Sequence, residues 1–127
     1  SKLRSLYNKE LDELTKKNIL SIKNPGKNKF FSEYIYVLIL NKKKIKFSRD
    51  NLIDFLKKKK IETTVHYIPV NKHDFYKEKF RKFKLPNSNY VFENTISLPF
   101  HNKLKQEDII HISNIIKNFV KKKEKNV

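Results

Sequence analysis

The feature that most constrains the fold of this chain is an apolar run at residues 34–40, which reads YIYVLIL. A strand with one wet face alternates apolar and polar side chains, whereas this run is apolar throughout. The run is also far shorter than the ~20 residues that a membrane-spanning helix needs. We therefore predict a β-strand within residues 31–40 whose two faces are both covered by other parts of the chain.

Helical periodicity occurs on both sides of this strand. Within residues 2–17, apolar side chains recur at steps of three and four, and they form a stripe of Leu3, Leu6, Tyr7, Leu11 and Leu14. A second helix is predicted at residues 48–59, with Ser48 as its N-cap, and its stripe is Leu52, Ile53, Phe55 and Leu56. A short helix is predicted near residues 75–80. The last helix begins at Gln106, and its stripe includes Ile109, Ile112, Ile116 and Phe119.

Two further strands are predicted, at residues 61–68 and 95–98, and each is followed at once by a proline that withdraws a backbone donor. Turn residues at 24–28 precede the first strand, and residues 85–88 lead through a half-turn or a helix into the last one. Helices and strands thus alternate in one domain, without an internal repeat. This order predicts an α+β fold, a small and mainly antiparallel sheet with helices packed on one face.

The chain is strongly basic, with 30 Lys and Arg residues against 13 Asp and Glu and a formal net charge of +17. This balance allows one alternative function, a stand-alone basic α+β module that binds nucleic acid or another polyanion. Only Arg4, Arg49 and Arg81 are arginines, however, and arginine is the residue preferred for bidentate contacts with phosphates and bases. A binding module should gather its lysines on one face beside exposed aromatic rings, so the distribution of charge tests this alternative.

Several kinds of site are excluded by residue type. The chain has no cysteine, which rules out disulfides, cysteine-ligated zinc and thiol catalysis. The four histidines lack a paired spacing such as His-x-x-x-His, so we predict no metal site. His101 and His111 are interpreted as structural or solvated residues. The single glycine cannot form a Gly-rich phosphate loop, and no lysine is marked as catalytic by its neighbours.

The most chemically capable residues stand at the end of the strand predicted at residues 61–68. His66 and Tyr67 lie there, where rigid scaffolds commonly present side chains to ligands. If the strand alternates, one of the two side chains points inward, and the sequence leaves open which one. The plainer interpretation of His66 is a strand-end histidine bonded to the backbone.

A series of motifs carries a family resemblance. In chain order they are RDNLIDFL from Arg49, HYIP from His66, LPNS from Leu85, ISLP from Ile96 and an acid-containing helix from Gln106. Together they resemble the C-terminal small domain of the DegT/DnrJ/EryC1/StrS aminotransferases. Members of that family have fold type I and use pyridoxal phosphate to aminate nucleotide-linked keto-sugars. The resemblance spans nearly the whole chain.

The resemblance implies a function for a larger, homodimeric and cytoplasmic enzyme. Such an enzyme transfers an amino group, typically from glutamate, to a nucleotide-linked keto-sugar in the biosynthesis of a surface polysaccharide or glycan. Its expected partners are therefore the sugar nucleotide, the amino donor, its own large domain and a second copy of the enzyme, and neither nucleic acid nor a membrane is expected.

The resemblance also implies a division of the chain and of the chemistry. Residues 1–20 would be a helix that leaves a missing large domain, residues 21–120 the small domain and residues 121–127 a frayed basic tail. The Schiff-base lysine and the main pyridoxal phosphate site belong to the large domain, so no catalytic residue is expected here and these 127 residues alone are expected to be inactive. Separated from that domain, the first helix is expected to expose its leucine stripe.

The loop after residue 65 is implied to wall the sugar pocket, with the substrate-binding residues His66, Tyr67, Pro69, Asn71 and His73. Some positions depart from the family pattern. Lys60 stands where the family usually has glycine. Either this lysine adopts the left-handed conformation that ends the helix, or the end of the helix has a different structure. Asn71 stands where a histidine is frequent, which leaves a polar contact but no proton transfer. Lys105 stands where Ser or Thr commonly caps the last helix.

Overall fold

The computed structural model describes residues 1–24, 32 and 34–125, with the side chains of all of these except Phe80 and Lys125. Its elements are α1 (Lys2–Glu10), α2 (Asp12–Lys16), β1 (Leu20–Ile22), β2 (Tyr36–Leu40), α3 (Arg49–Lys58), a 3₁₀ turn (Val70–Lys72), α4 (Asp74–Phe80), α5 (Pro86–Asn94), β3 (Thr95–Leu98) and α6 (Gln106–Lys125). Most of the turn predicted at residues 24–28, and residues 31 and 33 of the strand predicted over residues 31–40, lie outside the described residues. Residues 34 and 35 are described and are not part of a strand, so the strand begins later than predicted, at Tyr36.

The three strands form an antiparallel sheet in the order β1-β2-β3, which confirms the predicted α+β class. One face of the sheet is buried, and its side chains are Leu20, Tyr36, Leu38, Leu40, Ile96 and Leu98. These side chains form one core with the helices. The helical residues predicted to pack there are buried, namely Leu52, Leu56, Ile109, Ile112 and Ile116, and Phe55 is half-buried. The strand β1 has no counterpart among the predicted elements.

The second face of the sheet is covered only in part. Val37 and Ile39 alternate with the buried residues of β2 and are half-buried. Helix α5 lies on this side, and its Tyr90 hydroxyl donates to the carbonyl of Leu40 at 3.3 Å. The prediction that both faces of this strand are covered therefore holds only in part, and the prediction of helices on a single face is too simple.

The first helical stretch is part of the core. The prediction of one continuous helix is wrong, because the chain bends at Leu11 (φ −100°, ψ 4°) between α1 and α2. The expectation of an exposed leucine stripe is wrong for Leu11 and Leu14, which are buried, while Leu3 and Leu6 pack half-buried against the core. The reason is that α1 packs on α6. The division of domains at residue 20 remains a prediction.

Two tyrosines and an arginine tie α1 to the sheet. The rings of Tyr7 and Tyr36 stack with 4.5 Å between centroids, and the Tyr7 hydroxyl donates to the Pro99 carbonyl at 3.0 Å. Burial raises the pKa of both tyrosine hydroxyls, so both stay protonated donors. The buried Arg4 donates to the Ile35 carbonyl at 2.6 Å, and its guanidinium lies 5.2 Å from the Tyr36 ring centroid.

Helix α3 begins and ends as its sequence predicts. The Ser48 hydroxyl accepts from the Asn51 amide at 3.1 Å, and the Asn51 side chain accepts from the Ser48 amide at 2.9 Å, which is a capping box. At the other end, Ile61 N–H bonds to the Leu56 carbonyl and Lys60 N–H bonds to the Lys57 carbonyl. These two bonds form a Schellman motif. Lys60 has φ 60°, so lysine bears the left-handed terminus where the family usually has glycine.

Replacing Lys60 by glycine is expected to stabilise the chain by about 1 kcal/mol, because a residue with a Cβ is disfavoured by about that amount in the left-handed region. Lys59 offers a matched control, since it is adjacent and has φ −90°. Lys59→Gly should not stabilise the chain, and it should lower the free energy of unfolding by a few tenths of a kcal/mol or more. Urea unfolding of the two variants measures both values, and an equal effect of the two substitutions would contradict the proposed strain.

The last helix starts as predicted but continues further. Lys105 N–H donates to the Asp108 carboxylate at 2.8 Å, which is the reciprocal bond of a capping box, while the lysine side chain offers no acceptor for the first-turn amides that a Ser or Thr would cap. The frayed tail predicted from residue 121 is wrong for residues 121–125, which are helical. The buried Phe119 and Val120 explain this, because they hold the end of α6 against the core. Residues 126–127 lie outside the described part.

Candidate functional site

The segment after α3 runs along the outer edge of β3. Thr64 N–H donates to the Ser97 carbonyl at 3.2 Å, and Ser97 N–H donates to the Thr64 carbonyl at 2.8 Å. This is a single isolated antiparallel bridge, so the strand predicted at residues 61–68 is wrong beyond this one pair. Two effects limit the pairing. Ile61 is used to complete the terminus of α3, and the chain leaves the ladder where His66 bonds to a side chain.

His66 is anchored to the sheet by its ring. Its Nδ1 lies 2.8 Å from the Ser97 hydroxyl oxygen, and the histidine is half-buried. The next residue, Tyr67, is 68% exposed, and the two rings meet edge to face with 4.7 Å between centroids. The peptide bond between the two residues is cis. The structure thus answers the question that the sequence left open, since His66 points inward and Tyr67 outward.

An open cleft of about 660 Å³ lies beside the bonded pair of His66 and Ser97. Four segments contribute polar side chains to it: the residues before β2, the end of α3 with the following loop, the end of β3 with the segment after it, and the first turns of α6. The ionisable residues that line it are Tyr34, Lys59, Lys60, Glu62, His66, His101, Asp108 and His111. Cationic and neutral donors therefore line the same open space as two carboxylates.

The other predicted substrate-binding residues lie away from this cleft. Pro69 is half-buried before the 3₁₀ turn, Asn71 is half-buried within it, and His73 is exposed at the start of α4. Among the predicted set, then, only His66 lines the cleft. The assignment of all five residues to substrate binding remains a prediction.

The 3₁₀ turn is attached to α5 rather than to the cleft. The Lys72 ammonium lies 4.9 Å from the Phe92 ring centroid and 3.5 Å from the Glu93 carboxylate. Arg49 reaches the same helix from α3 and donates to the carbonyls of Phe92 and Thr95 at 3.0 and 3.1 Å. The loop that carries the predicted residues is therefore held at both of its ends, by Ser97 through His66 and by α5 through Lys72.

Most residues of the cleft are absent from the predicted site, and Ser97, His101 and His111 are the most chemically capable of these. Ser97 lies in the quoted ISLP motif, and a polar side chain between two apolar ones in a short strand was the available signal. His101 and His111 were interpreted as structural or solvated; both are exposed, and both line the cleft. No local signal links these two residues to His66, because the segment after α3 meets β3 and the residues that follow it only in the fold.

Within the described ranges, no group of three or more His, Asp or Glu side chains is arranged to hold a metal ion. None of the helices in the part of the chain that the structure describes combines the length and the apolar character needed to cross a lipid bilayer. A site for pyridoxal phosphate needs a desolvated lysine and a phosphate cradle of backbone amides. Every lysine with a described side chain is exposed or half-buried, so the described residues do not fit the cofactor by themselves.

Two curated relatives match most of this chain. An uncharacterized protein of Methanocaldococcus jannaschii, MJ1066, is 34% identical over 120 residues, which are 93% of this chain and 30% of that protein. The spore coat polysaccharide biosynthesis protein SpsC of Bacillus subtilis is 31% identical over 91 residues, which are 69% of this chain and 23% of that protein. The chain therefore spans less than a third of the length of either relative.

A solved structure has the same fold. PseC of Helicobacter pylori, an aminotransferase involved in the biosynthesis of pseudoaminic acid, superposes with a TM-score of 0.82. The match covers 95% of this chain and 32% of PseC at 19% identity, so it shows the fold alone. The family model, in contrast, describes the sequence itself and matches residues 1–117. The chain belongs to the DegT/DnrJ/EryC1/StrS aminotransferase family.

Proposed function

We propose that this chain is the C-terminal part of an aminotransferase that transfers an amino group from glutamate to a nucleotide-linked keto-sugar. The observation that carries the proposal is the family match over residues 1–117. It is combined with the fact that the chain spans only 30% of the length of MJ1066. The similarity to SpsC, whose name places it in polysaccharide biosynthesis, supports a surface polysaccharide or glycan as the end product.

The cofactor of such an enzyme is pyridoxal phosphate, as the family implies. It supplies the electron sink for amino-group transfer. Because the described lysines are exposed or half-buried, we propose that a large domain outside these 127 residues holds it. The contribution of this chain is then to bind and orient the sugar nucleotide and to exclude water from one side of the reacting centre.

The cleft beside His66 is the part of the chain that we propose meets the sugar nucleotide. It offers neutral and cationic donors on a rigid edge of the sheet, and sugar hydroxyls and phosphates are acceptors for such donors. Tyr67, Pro69, Asn71 and His73 would contact the substrate only from the outer surface of the same loop. That loop is stabilised at both ends, as a wall of a binding site must be.

The distribution of charge does not support a polyanion-binding module. Exposed lysines occur on helices α1, α2, α3, α4 and α6, and they are therefore spread rather than gathered on one face. Two aromatic residues of the predicted buried stripes do not offer an exposed platform, since Phe55 is half-buried and Phe119 is buried. The side chain of Phe80 lies outside the described part. Exposed rings do occur, and they are spread along the described chain from before β2 to α5, at Tyr34, Tyr67, Phe75, Phe83 and Tyr90.

We expect the 127 residues alone to neither hold the cofactor at one lysine nor transaminate. The test is to add pyridoxal phosphate, reduce with borohydride, map the labelled lysines by mass spectrometry, and assay turnover with glutamate and a keto-sugar nucleotide. Scattered, substoichiometric labelling and no turnover are expected, because no described lysine is desolvated. One stoichiometric lysine with turnover would overturn the assignment to a small domain.

The matched experiment uses the full reading frame of the gene. Its product should show one stoichiometrically labelled lysine outside these 127 residues and should turn over the keto-sugar. An in-frame large domain in the DNA directly upstream would support the same conclusion. An initiator codon with a ribosome-binding site just before Ser1 would instead favour a separate small protein.

A further inference from the structure

The hydroxyl of Ser97 occupies an unusual position for a polar group. Ser97 is 2% exposed and lies in β3 between two core residues. Its backbone is fixed on both sides, because it pairs with Val37 in β2 and with Thr64 in the edge segment. Its side chain therefore has little freedom to move, and whatever it bonds is held in a defined place.

A buried hydroxyl needs an acceptor for its proton, since an unpaired buried donor costs about 1–3 kcal/mol. Within the described residues, the bond that the Ser97 hydroxyl makes is to Nδ1 of His66 at 2.8 Å. If Nδ1 carried the proton, Ser97 would only accept, and its own proton would be left unpaired in the interior. The balance of donors and acceptors therefore makes Ser97 the donor and Nδ1 the acceptor.

We propose that Ser97 is the positioning residue that holds His66 in its neutral Nε2–H tautomer, so that His66 donates a hydrogen bond to an oxygen of the ligand in the cleft. A neutral imidazole with Nδ1 accepting has its proton on Nε2, and Nε2 makes no bond to any described residue. His66 then binds and orients the ligand rather than removing a proton from it.

The chemistry of the ligand follows from that tautomer. A fixed N–H donor at the edge of an open cleft selects an acceptor, which is a carbonyl, a hydroxyl or a phosphate oxygen. A keto-sugar nucleotide is rich in such oxygens. The identification of the ligand rests on the proposed function, whereas the assignment of the tautomer rests only on the geometry of Ser97 and His66.

The tautomer is measured directly by nitrogen NMR of the imidazole rings in the 127-residue chain. At about pH 8.5, above the ordinary imidazole pKa of ~6.5, the neutral ring gives distinct shifts for a protonated and an unprotonated nitrogen. We expect His66 to show Nε2 protonated and Nδ1 unprotonated in a single tautomer. Observation of the Nδ1–H tautomer, or of an even mixture, would overturn the proposal.

Three variants separate positioning from a general structural effect. Ser97→Ala should release the ring into exchange between both tautomers, whereas Ser97→Thr, which keeps the hydroxyl, should restore the single tautomer. Ser113→Ala is the control, because Ser113 is also fully buried and its hydroxyl has no partner within the described residues. It should leave the His66 signals unchanged. A change of the same size in Ser113→Ala, or no change in Ser97→Ala, would refute the assignment.

In the complete enzyme, Ser97→Ala should lower kcat/KM for the keto-sugar nucleotide about tenfold, the factor that corresponds to one hydrogen bond. Ser97→Thr should recover most of it. The measurement of the tautomer and the measurement of activity can each give a negative result independently of the other. A correct tautomer without transaminase activity would contradict the proposed function alone, while full activity of Ser97→Ala together with a mixed tautomer in the wild type would contradict the role of Ser97.

Discussion

Leu11→Ala is expected to destabilise the 127-residue chain by about 2–5 kcal/mol, the range for removing a large aliphatic side chain from a packed core. Leu11 is 0% exposed and sits at the bend between α1 and α2, where the chain packs on the core formed with α6. Small domains have total stabilities of about 5–15 kcal/mol, so the loss would be visible as a large shift of the urea midpoint.

The control for this prediction is Lys9→Ala in the same first helix. Lys9 is exposed, so its substitution should change stability by no more than about 0.5 kcal/mol. If the first helix instead belonged to the surface of a missing domain, Leu11→Ala would be as mild as Lys9→Ala in this chain. Equal effects of the two variants would therefore refute the packing of α1 into this core.

The elements that could be predicted from the sequence are those in which local signals agree. Helix α3 has a capping serine, an apolar stripe and lysines in its last turn, and its observed bounds agree with the prediction. The strand β1 could not be predicted in the same way. It has only three residues, it follows the left-handed Asn18, and its partner β2 lies more than ten residues away in the sequence. Its formation depends on the sheet and not on local propensity.

The strand predicted at residues 61–68 shows the opposite case. Its β-branched and aromatic residues fit a pleated surface, but a strand needs a partner edge along its whole length. Here β3 offers pairing only at Ser97, and the terminus of α3 uses Ile61. The strand-like composition therefore indicates correctly that this segment lies beside the sheet. It does not indicate how many residues pair with β3.

The candidate site could be predicted only in part for a related reason. His66 was found because it follows a strand-like stretch and stands in a family motif. Its anchor, Ser97, lies 31 residues further along the chain, and the histidines of the segment after β3 and of α6 come still later. The cleft is made by the meeting of these segments, which a single sequence does not encode locally.

The second large effect is expected for His66→Ala in the complete enzyme. If His66 donates to a ligand oxygen, its removal should lower kcat/KM by about 10- to 100-fold, with the larger value for a charged phosphate oxygen. An effect on KM alone would indicate binding of the ground state, and an equal fall in kcat and kcat/KM would indicate a bond made in the transition state. Unchanged kinetics would remove His66 from the site.

The same substitution tests the hydrogen bond to Ser97 through stability. For an ordinary histidine at the end of a strand, substitution by alanine changes the free energy of unfolding by no more than about 1 kcal/mol. In the fold, His66→Ala leaves the buried Ser97 hydroxyl without an acceptor, so we expect a loss of about 1–3 kcal/mol. Removing both partners avoids that penalty, and the double variant His66→Ala/Ser97→Ala should therefore be more stable than His66→Ala alone. Urea unfolding of the wild type, both single variants and the double variant completes the cycle, and strictly additive losses would show that the two side chains are not coupled.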